Sequence, residues 1–158
     1  MKILMVCMGN ICRSPLAEGV VRHLADRAGV GAAIEVDSAG TLAYHAGEQP
    51  DPRARKVAAS RGYDLSRMRA RRVAEDDFAH FDLVLAMDRQ NLAALERLCP
   101  EEHLHKLRLF MDYAESGEAD EIPDPYYGGP DGFERVLDMC EAAARGLIGA
   151  IAGSGKRR

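Results

Sequence analysis

An α/β fold with a mostly parallel sheet is what this 158-residue sequence predicts, and three observations predict it. Four short strand-like runs, Lys2–Val6, Ile34–Ser38, Leu83–Met87 and Leu107–Met111, recur along the chain. Helical patterns fall between and after them, an alternation that builds a parallel sheet with crossover helices. The first run also ends in a tight loop that opens straight into a helical pattern.

The elements follow in order. After the apolar run Ile3-Leu4-Met5-Val6, residues Leu16, Val20, Leu24 and Ala28 share one stripe of a first helix, with Pro15 at its first position and Gly29 and Gly31 ending it. A second helix is expected from Asp51-Pro52 to about Arg61, stopped by Gly62. Short helices are expected around Ala74–Phe78 and Arg89–Leu98. The last helix is marked by Phe133, Val136, Leu137, Cys140, Leu147, Ile148 and Ile151 at helical spacing. Residues 1–152 read as a single domain and 153–158 as a flexible tail, with no repeat or linker to mark a second unit.

Composition narrows the function. Hydrophobic residues make up 47% and charged residues 29%, an ordinary globular balance. The net charge of −4 provides no global basic field for nucleic acid, although Arg67-Met-Arg-Ala-Arg-Arg72 is a local basic patch. The N-terminal apolar run is too short for a signal peptide and no stretch is long enough to span a bilayer. The chain therefore reads as cytoplasmic, with its cysteines reduced. It has no Cys-x-x-Cys pair, and its five histidines, His103-x-His105 included, show no ligand spacing and read as surface residues. Neither a metal nor a cofactor is expected.

The chemistry lies in Cys7-Met-Gly-Asn-Ile-Cys-Arg13. A cysteine six residues before an arginine is weak evidence in an arginine-rich chain. Its place between a strand and a helix start strengthens it, because that geometry aims backbone N–H groups at one spot where an oxyanion fits. Among Cys7, Cys12, Cys99 and Cys140, only Cys7 has an arginine at this spacing. A free cysteine titrates near ~8.5, and helix N-terminal N–H groups with a nearby guanidinium favour the thiolate. Arg13 matches two phosphate oxygens with a planar fork. Met8, Gly9, Asn10, Ile11, Cys12 and Ser14 would form and support the loop: Gly9 allows close backbone approach, Asn10 accepts a strained conformation and bonds across the loop, and Ser14 can donate to the sulfur. The plainer readings are a buried cysteine at a strand end for Cys7, and a helix-end and a core cysteine for Cys99 and Cys140.

Cleaving a phosphate ester also needs an acid for the leaving oxygen. Ile122-Pro-Asp124-Pro-Tyr-Tyr-Gly128 provides a carboxylate stiffened by two prolines, and adjacent tyrosines that could wall a pocket. The competing reading is a plain Asp-Pro turn.

Val6-Cys-Met-Gly-Asn-Ile-Cys-Arg-Ser-Pro-Leu-Ala-Glu18 with Asp124-Pro-Tyr-Tyr127 resembles the low-molecular-weight protein tyrosine phosphatases. Asp37-Ser-Ala-Gly-Thr41 and Phe81–Asp88 resemble them too, so the likeness covers nearly the whole chain in order. It implies a four-stranded parallel sheet with helices on both faces. It implies Cys7 as nucleophile, Arg13 as phosphate clamp, and Asp124 as acid and then base. Ile11, Tyr44, Tyr126 and Tyr127 would border the substrate pocket, and Cys12 would trap an oxidised Cys7 as a reversible disulfide. The implied partner is a phosphotyrosine protein or peptide, with no nucleic acid and no membrane, and the chain a monomer or weak dimer. One departure stands out. The family often has a histidine, bonded into the network behind the loop, where this chain has Met68, so either Arg67, Arg69 or a water is expected to substitute or the loop is expected to be less rigid.

Three alternatives are weighed. Bacterial protein-arginine phosphatases share the fold but usually carry threonine where this chain has Ile11. Thioredoxin-coupled arsenate reductases need a further cysteine pair on a mobile segment. A phosphotyrosine-binding module without catalysis would not need Cys7, Arg13 and Asp124 together. The sequence therefore leads to two-step phosphotyrosine hydrolysis through a cysteinyl-phosphate.

Overall fold

In the computed structural model, which describes residues 1–115 and 119–156, the strands are β1 (Lys2–Cys7), β2 (Glu35–Gly40), β3 (Leu83–Ala86) and β4 (Leu107–Leu109). They form one four-stranded sheet in the order β2-β1-β3-β4. Every neighbouring pair is parallel. The helices are α1 (Arg13–Arg27), α2 (Pro52–Ser60), α3 (Glu75–His80), α4 (Arg89–Leu98) and α5 (Pro130–Lys156).

β1 is central, and Ile3, Leu4, Met5 and Val6 are all fully buried. Because strand side chains alternate between faces, Ile3, Met5 and Cys7 join the core that packs with α1, α2 and α5. Leu4 and Val6 join the opposite core with Phe78 of α3 and Leu95 of α4. Helices thus cover both faces, as a parallel sheet requires. The chain leaves β1 for β2 on one side and later crosses to β3 on the other. A strand order that reverses in this way opens a crevice beyond the carboxyl ends of β1 and β3. Cys7 ends β1, and Met87-Asp88 follows β3.

Several element edges differ from the sequence reading, each for a local reason. β2 runs two residues further, to Gly40, because its ladder with β1 continues to Cys7 opposite Gly40. A side chain at Gly40 would put a Cβ 2.7 Å from the Met8 carbonyl oxygen, so glycine lets β2 pass beneath the loop. β4 stops at Leu109, opposite the last residue of β3, and the chain turns into a 3-10 segment, Phe110–Tyr113. α1 begins at Arg13, so Pro15 is its third residue, still within the first turn where a missing N–H costs nothing. α5 runs on to Lys156, past the boundary set at 152. Glycine weakens a helix by only about 1 kcal/mol per residue, and Gly153 does not stop this one. Residues 157–158 of the expected tail lie outside the described residues. Arg61, just after α2, ties that helix to α5 through Glu134, Asp138 and Glu141.

Two glycines on α5 make opposite predictions. A Cβ at Gly146 would overlap the Tyr113 carbonyl oxygen, whereas Gly149 has nothing near it. Helix propensity favours alanine at both by about 1 kcal/mol, but forced overlap in packed structure costs typically about 1–3. In urea denaturation Gly146→Ala is expected to destabilise the fold by up to about 2 kcal/mol and Gly149→Ala to stabilise it by up to about 1. Equal effects would refute the close approach of α5 to the 3-10 segment.

Candidate active site

The loop between β1 and α1 wraps around the Cys7 sulfur. Cys7 Sγ lies 3.0 Å from Ser14 Oγ, and the Asn10 backbone N–H donates to it at 3.3 Å. Cys12 is the N-cap of α1, and no side chain caps the helix. The helix nevertheless starts in buried surroundings, with Arg13 and Ser14 almost wholly inaccessible. First-turn N–H groups lack partners within the helix; here Pro15 has none to satisfy and the Leu16 N–H donates to the Cys12 carbonyl at 3.2 Å, so the need for a partner concerns Arg13 and Ser14 alone.

Asn10 fixes the loop's shape. Its φ of 58° makes it the one described non-glycine residue in the left-handed region, which asparagine tolerates better than most. Its Nδ2 donates to Ser14 Oγ at 2.8 Å and to Ser38 Oγ at 3.0 Å, and its Oδ1 accepts from the Arg71 backbone N–H at 3.0 Å. Since Nδ2 provides both protons, each serine oxygen accepts and keeps its own proton to donate. Ser14 is left to donate to the Cys7 sulfur, and Ser38 donates to Glu18 Oε1 at 2.7 Å. The relay ends at Glu18, only 4% exposed on α1, which takes a second bond from Arg22 at 2.6 Å. Burial pushes the Glu18 carboxyl above its usual range, with the Ser38 and Arg22 contacts opposing.

The sequence reading expected Arg67, Arg69 or a water to replace the missing histidine. The cation joined to the network is instead Arg22, one turn along α1 from Glu18, which also donates to the Val36 carbonyl. Arg67 is exposed, and Arg69 donates to the carbonyls of Ser66 and Met68. Met68 is half-buried against the core. The i, i+4 spacing of Glu18 and Arg22 was the available signal.

Arg13 lies beside the loop. Its NH1 donates to Asp88 Oδ2 at 2.6 Å and to the Ile122 carbonyl at 3.0 Å, and its NH2 is 3.8 Å from Asp124 Oδ2. Burial works against its charge, but Cys7, Asp88 and Asp124 outweigh it and hold the guanidinium above its ordinary value. Asp88 was not picked out from sequence as a site residue. Its other oxygen caps α4 through the Asn91 N–H, and that local role hides the distant one.

A cavity of about 300 Å³ opens over the sulfur. Cys7, Met8, Gly9, Ile11, Cys12 and Arg13 form its floor; Tyr44, Asp124, Tyr126 and Tyr127 stand at its sides. The structure thus gathers at one place the candidates drawn from three distant stretches of sequence; Asn10 and Ser14 lie behind the loop rather than in the cavity lining. Leu42 and His45 join the lining. His45 was read as a surface residue, but a Cβ on Gly9 would lie 3.2 Å from its ring, and Glu48 orients it through Nδ1 at 2.9 Å. Burial first, then the charges of Asp51 and Cys7, push the Cys12 thiol well up, so Cys12 stays protonated beside the loop. All four cysteines are free, and no group of three or more potential metal ligands occurs among the described residues.

Comparison with known proteins gives one answer. The family model described as low molecular weight phosphotyrosine protein phosphatase matches residues 2–157. A low molecular weight protein-tyrosine-phosphatase of Streptomyces coelicolor is 48% identical over 153 residues, covering 95% of this chain and 93% of that one. The human low molecular weight phosphotyrosine protein phosphatase is 37% identical over 148 residues, covering 92% of each chain. A crystal structure of a protein tyrosine phosphatase from Entamoeba histolytica, with Hepes in its active site, superposes with a TM-score of 0.93 at 43% identity, over 98% of this chain and 99% of that one.

The buried Glu18 gives a pH-dependent prediction. A carboxyl whose folded pKa is raised contributes stability below its unfolded pKa and loses it as pH rises through the folded value. Removing Arg22 raises that folded value further. Arg22→Ala is therefore expected to cost about 1 kcal/mol near pH 7.5, discounted for the half-exposed guanidinium, and progressively less as the pH is lowered and Glu18 takes up its proton, with pH 4.5 as the second point. Urea titrations at the two pH values measure this; a cost independent of pH would refute the buried ionised pair.

Proposed function

The chain belongs to the low molecular weight phosphotyrosine protein phosphatases, enzymes that work through a cysteine, and from that premise we propose that Cys7 is the nucleophile, Arg13 the phosphate clamp and Asp124 the acid and base. The observation that carries the reading is their convergence on one cavity, with the Cys7 sulfur at its floor and the Asp124 carboxylate at its lip.

Phosphate enters the loop and meets the N–H groups of the loop and of the first turn of α1. Arg13 takes equatorial oxygens with Nε and NH2, while its NH1 is held by Asp88 and the Ile122 carbonyl. Ser14 donates to the sulfur and stabilises the thiolate. The thiolate attacks phosphorus in line, the P–O bond breaks, and Asp124 gives its proton to the departing tyrosine oxygen. Water then enters where tyrosine left. The Asp124 carboxylate takes its proton as the water oxygen bonds to phosphorus, the S–P bond breaks with its electron pair returning to the Cys7 thiolate, and phosphate leaves. Charge on the equatorial oxygens is met throughout by donors held in place beforehand.

The aromatic side chains that line the cavity suit a flat ring, with Tyr126 and Tyr127 edge to face at 4.9 Å and Tyr44 also in the lining. Ile11 adds an apolar contact at the base, which suits an aryl group better than a guanidinium. The relatives are named for phosphotyrosine, which does not favour the phosphoarginine and arsenate readings. Cys12 is the proposed redox partner. Peroxide converts the Cys7 thiolate to a sulfenic acid, the Cys12 thiol attacks that sulfur, water leaves, and a disulfide protects Cys7 from further oxidation.

Cys7→Ser is expected to abolish turnover of phosphotyrosine peptides; retained activity would remove Cys7 from the mechanism. Asp124→Asn should lower kcat/KM on phosphotyrosine by about 10²-fold or more, and far less on an aryl phosphate with an activated leaving group. Equal slowing of both would refute the acid. After mild peroxide, mass spectrometry should find a Cys7–Cys12 bond that thiols reverse, and direct formation of sulfinic acid at Cys7 would refute the protective role.

A further inference from the structure

Arg53 lies on α2, outside the residues that line the cavity, yet it is held between two rings. Its guanidinium carbon sits 5.3 Å from the Tyr126 ring centroid and 4.7 Å from that of Phe133. Both distances fall within the range of attraction between a cation and an aromatic face. Phe133 is buried on α5 and does not yield, while Tyr126 belongs to the loop that carries Asp124.

The other side of Arg53 is gripped by Asp51, which accepts from Nε at 3.1 Å and from NH2 at 3.0 Å. Asp51 is itself fixed: it is buried, caps α2 through the Arg53 N–H, and precedes Pro52. Its own backbone N–H donates to the Ile11 carbonyl of the phosphate loop at 2.8 Å. On the far side, the Tyr126 N–H donates to Asp124 Oδ1 at 3.0 Å, in a segment where Pro123 and Pro125 limit the backbone. Each link is short, and together they join the loop beneath the sulfur to the carboxylate above it: Ile11, Asp51, Arg53, Tyr126, Asp124.

We infer that Arg53 is a positioning residue that holds the Tyr126 ring, and through it the Asp124 carboxylate, in register with the phosphate loop. The inference rests on the proposed role of Asp124 as acid. Arg53 touches no reacting atom, so its loss is felt where proton delivery to the leaving group limits the rate. Attack on an activated ester, whose leaving group needs no proton, is felt little.

The test measures kcat/KM for phosphotyrosine and for an activated aryl phosphate in Arg53→Met, Asp124→Asn and the double variant, with thermal melting of each. Arg53→Met should lower the phosphotyrosine value roughly tenfold and the activated-ester value much less, since small misplacement of a catalytic group is costly. In the Asp124→Asn background the same change should add little, because two substitutions on one path are not additive. Arg53→Lys keeps a cation against the rings but cannot grip Asp51 through two nitrogens. It should shift the ratio in the same direction by less, and it gives the same readout if Arg53→Met does not fold. If Asp124→Asn separates the two substrates and neither Arg53 variant does, the link through Arg53 is wrong while the acid stands. If Asp124→Asn slows both substrates equally, the acid assignment fails and the positioning role fails with it.

Discussion

The amide of Asn10 is the interaction on which the site depends. A single side chain in a left-handed backbone uses both of its donors on two serines and its acceptor on a third chain segment. That fixes which way each hydroxyl points, and so leaves the Ser14 proton for the sulfur. A left-handed residue without these bonds would relax; with them, the loop is held from behind by β2 and by the segment at Arg71. The proposed phosphate cradle is therefore held in shape by the chain's own bonds, and chemistry in such a site needs little reorganisation.

The sheet explains why this loop can be so short. β1 is buried on both faces, and its alternation places Cys7 on the same face as Ile3 and Met5, directly beneath the start of α1. The helix packs back on the sheet that launched it. Gly40 lets the neighbouring strand pass close under the loop, within reach of Met8 and Gly9. The proposed nucleophile and anion site are thus products of ordinary strand-to-helix geometry, whereas Asp124 sits on a distant and more exposed loop. The two halves of the cavity come from different kinds of structure.

Cys7, Arg13 and Asp124 could be read from sequence because each stands in a local pattern with its own logic: a strand end, a helix start, a loop stiffened by proline. The four strands could be read because their apolar runs are bounded. The ends of β2 and β4 could not, since a strand stops where its partner's ladder stops, and that is a tertiary fact. Asp88, His45 and Arg22 escaped for the same reason. Each has an unremarkable local role as a cap, an exposed-looking turn residue or a helix-surface cation, and only the folded chain brings Asp88 to Arg13, His45 to Gly9 and Arg22 to the end of the serine relay.

Asp88 serves two structures with two oxygens, one for Arg13 and one for the start of α4. The helix depends little on the charge, since asparagine and serine cap about as well as aspartate. The guanidinium depends on it. A change to asparagine at this position would keep a cap for α4 yet take from the buried Arg13 its nearest anionic partner, so one substitution that spares the helix falls on the site and on stability together.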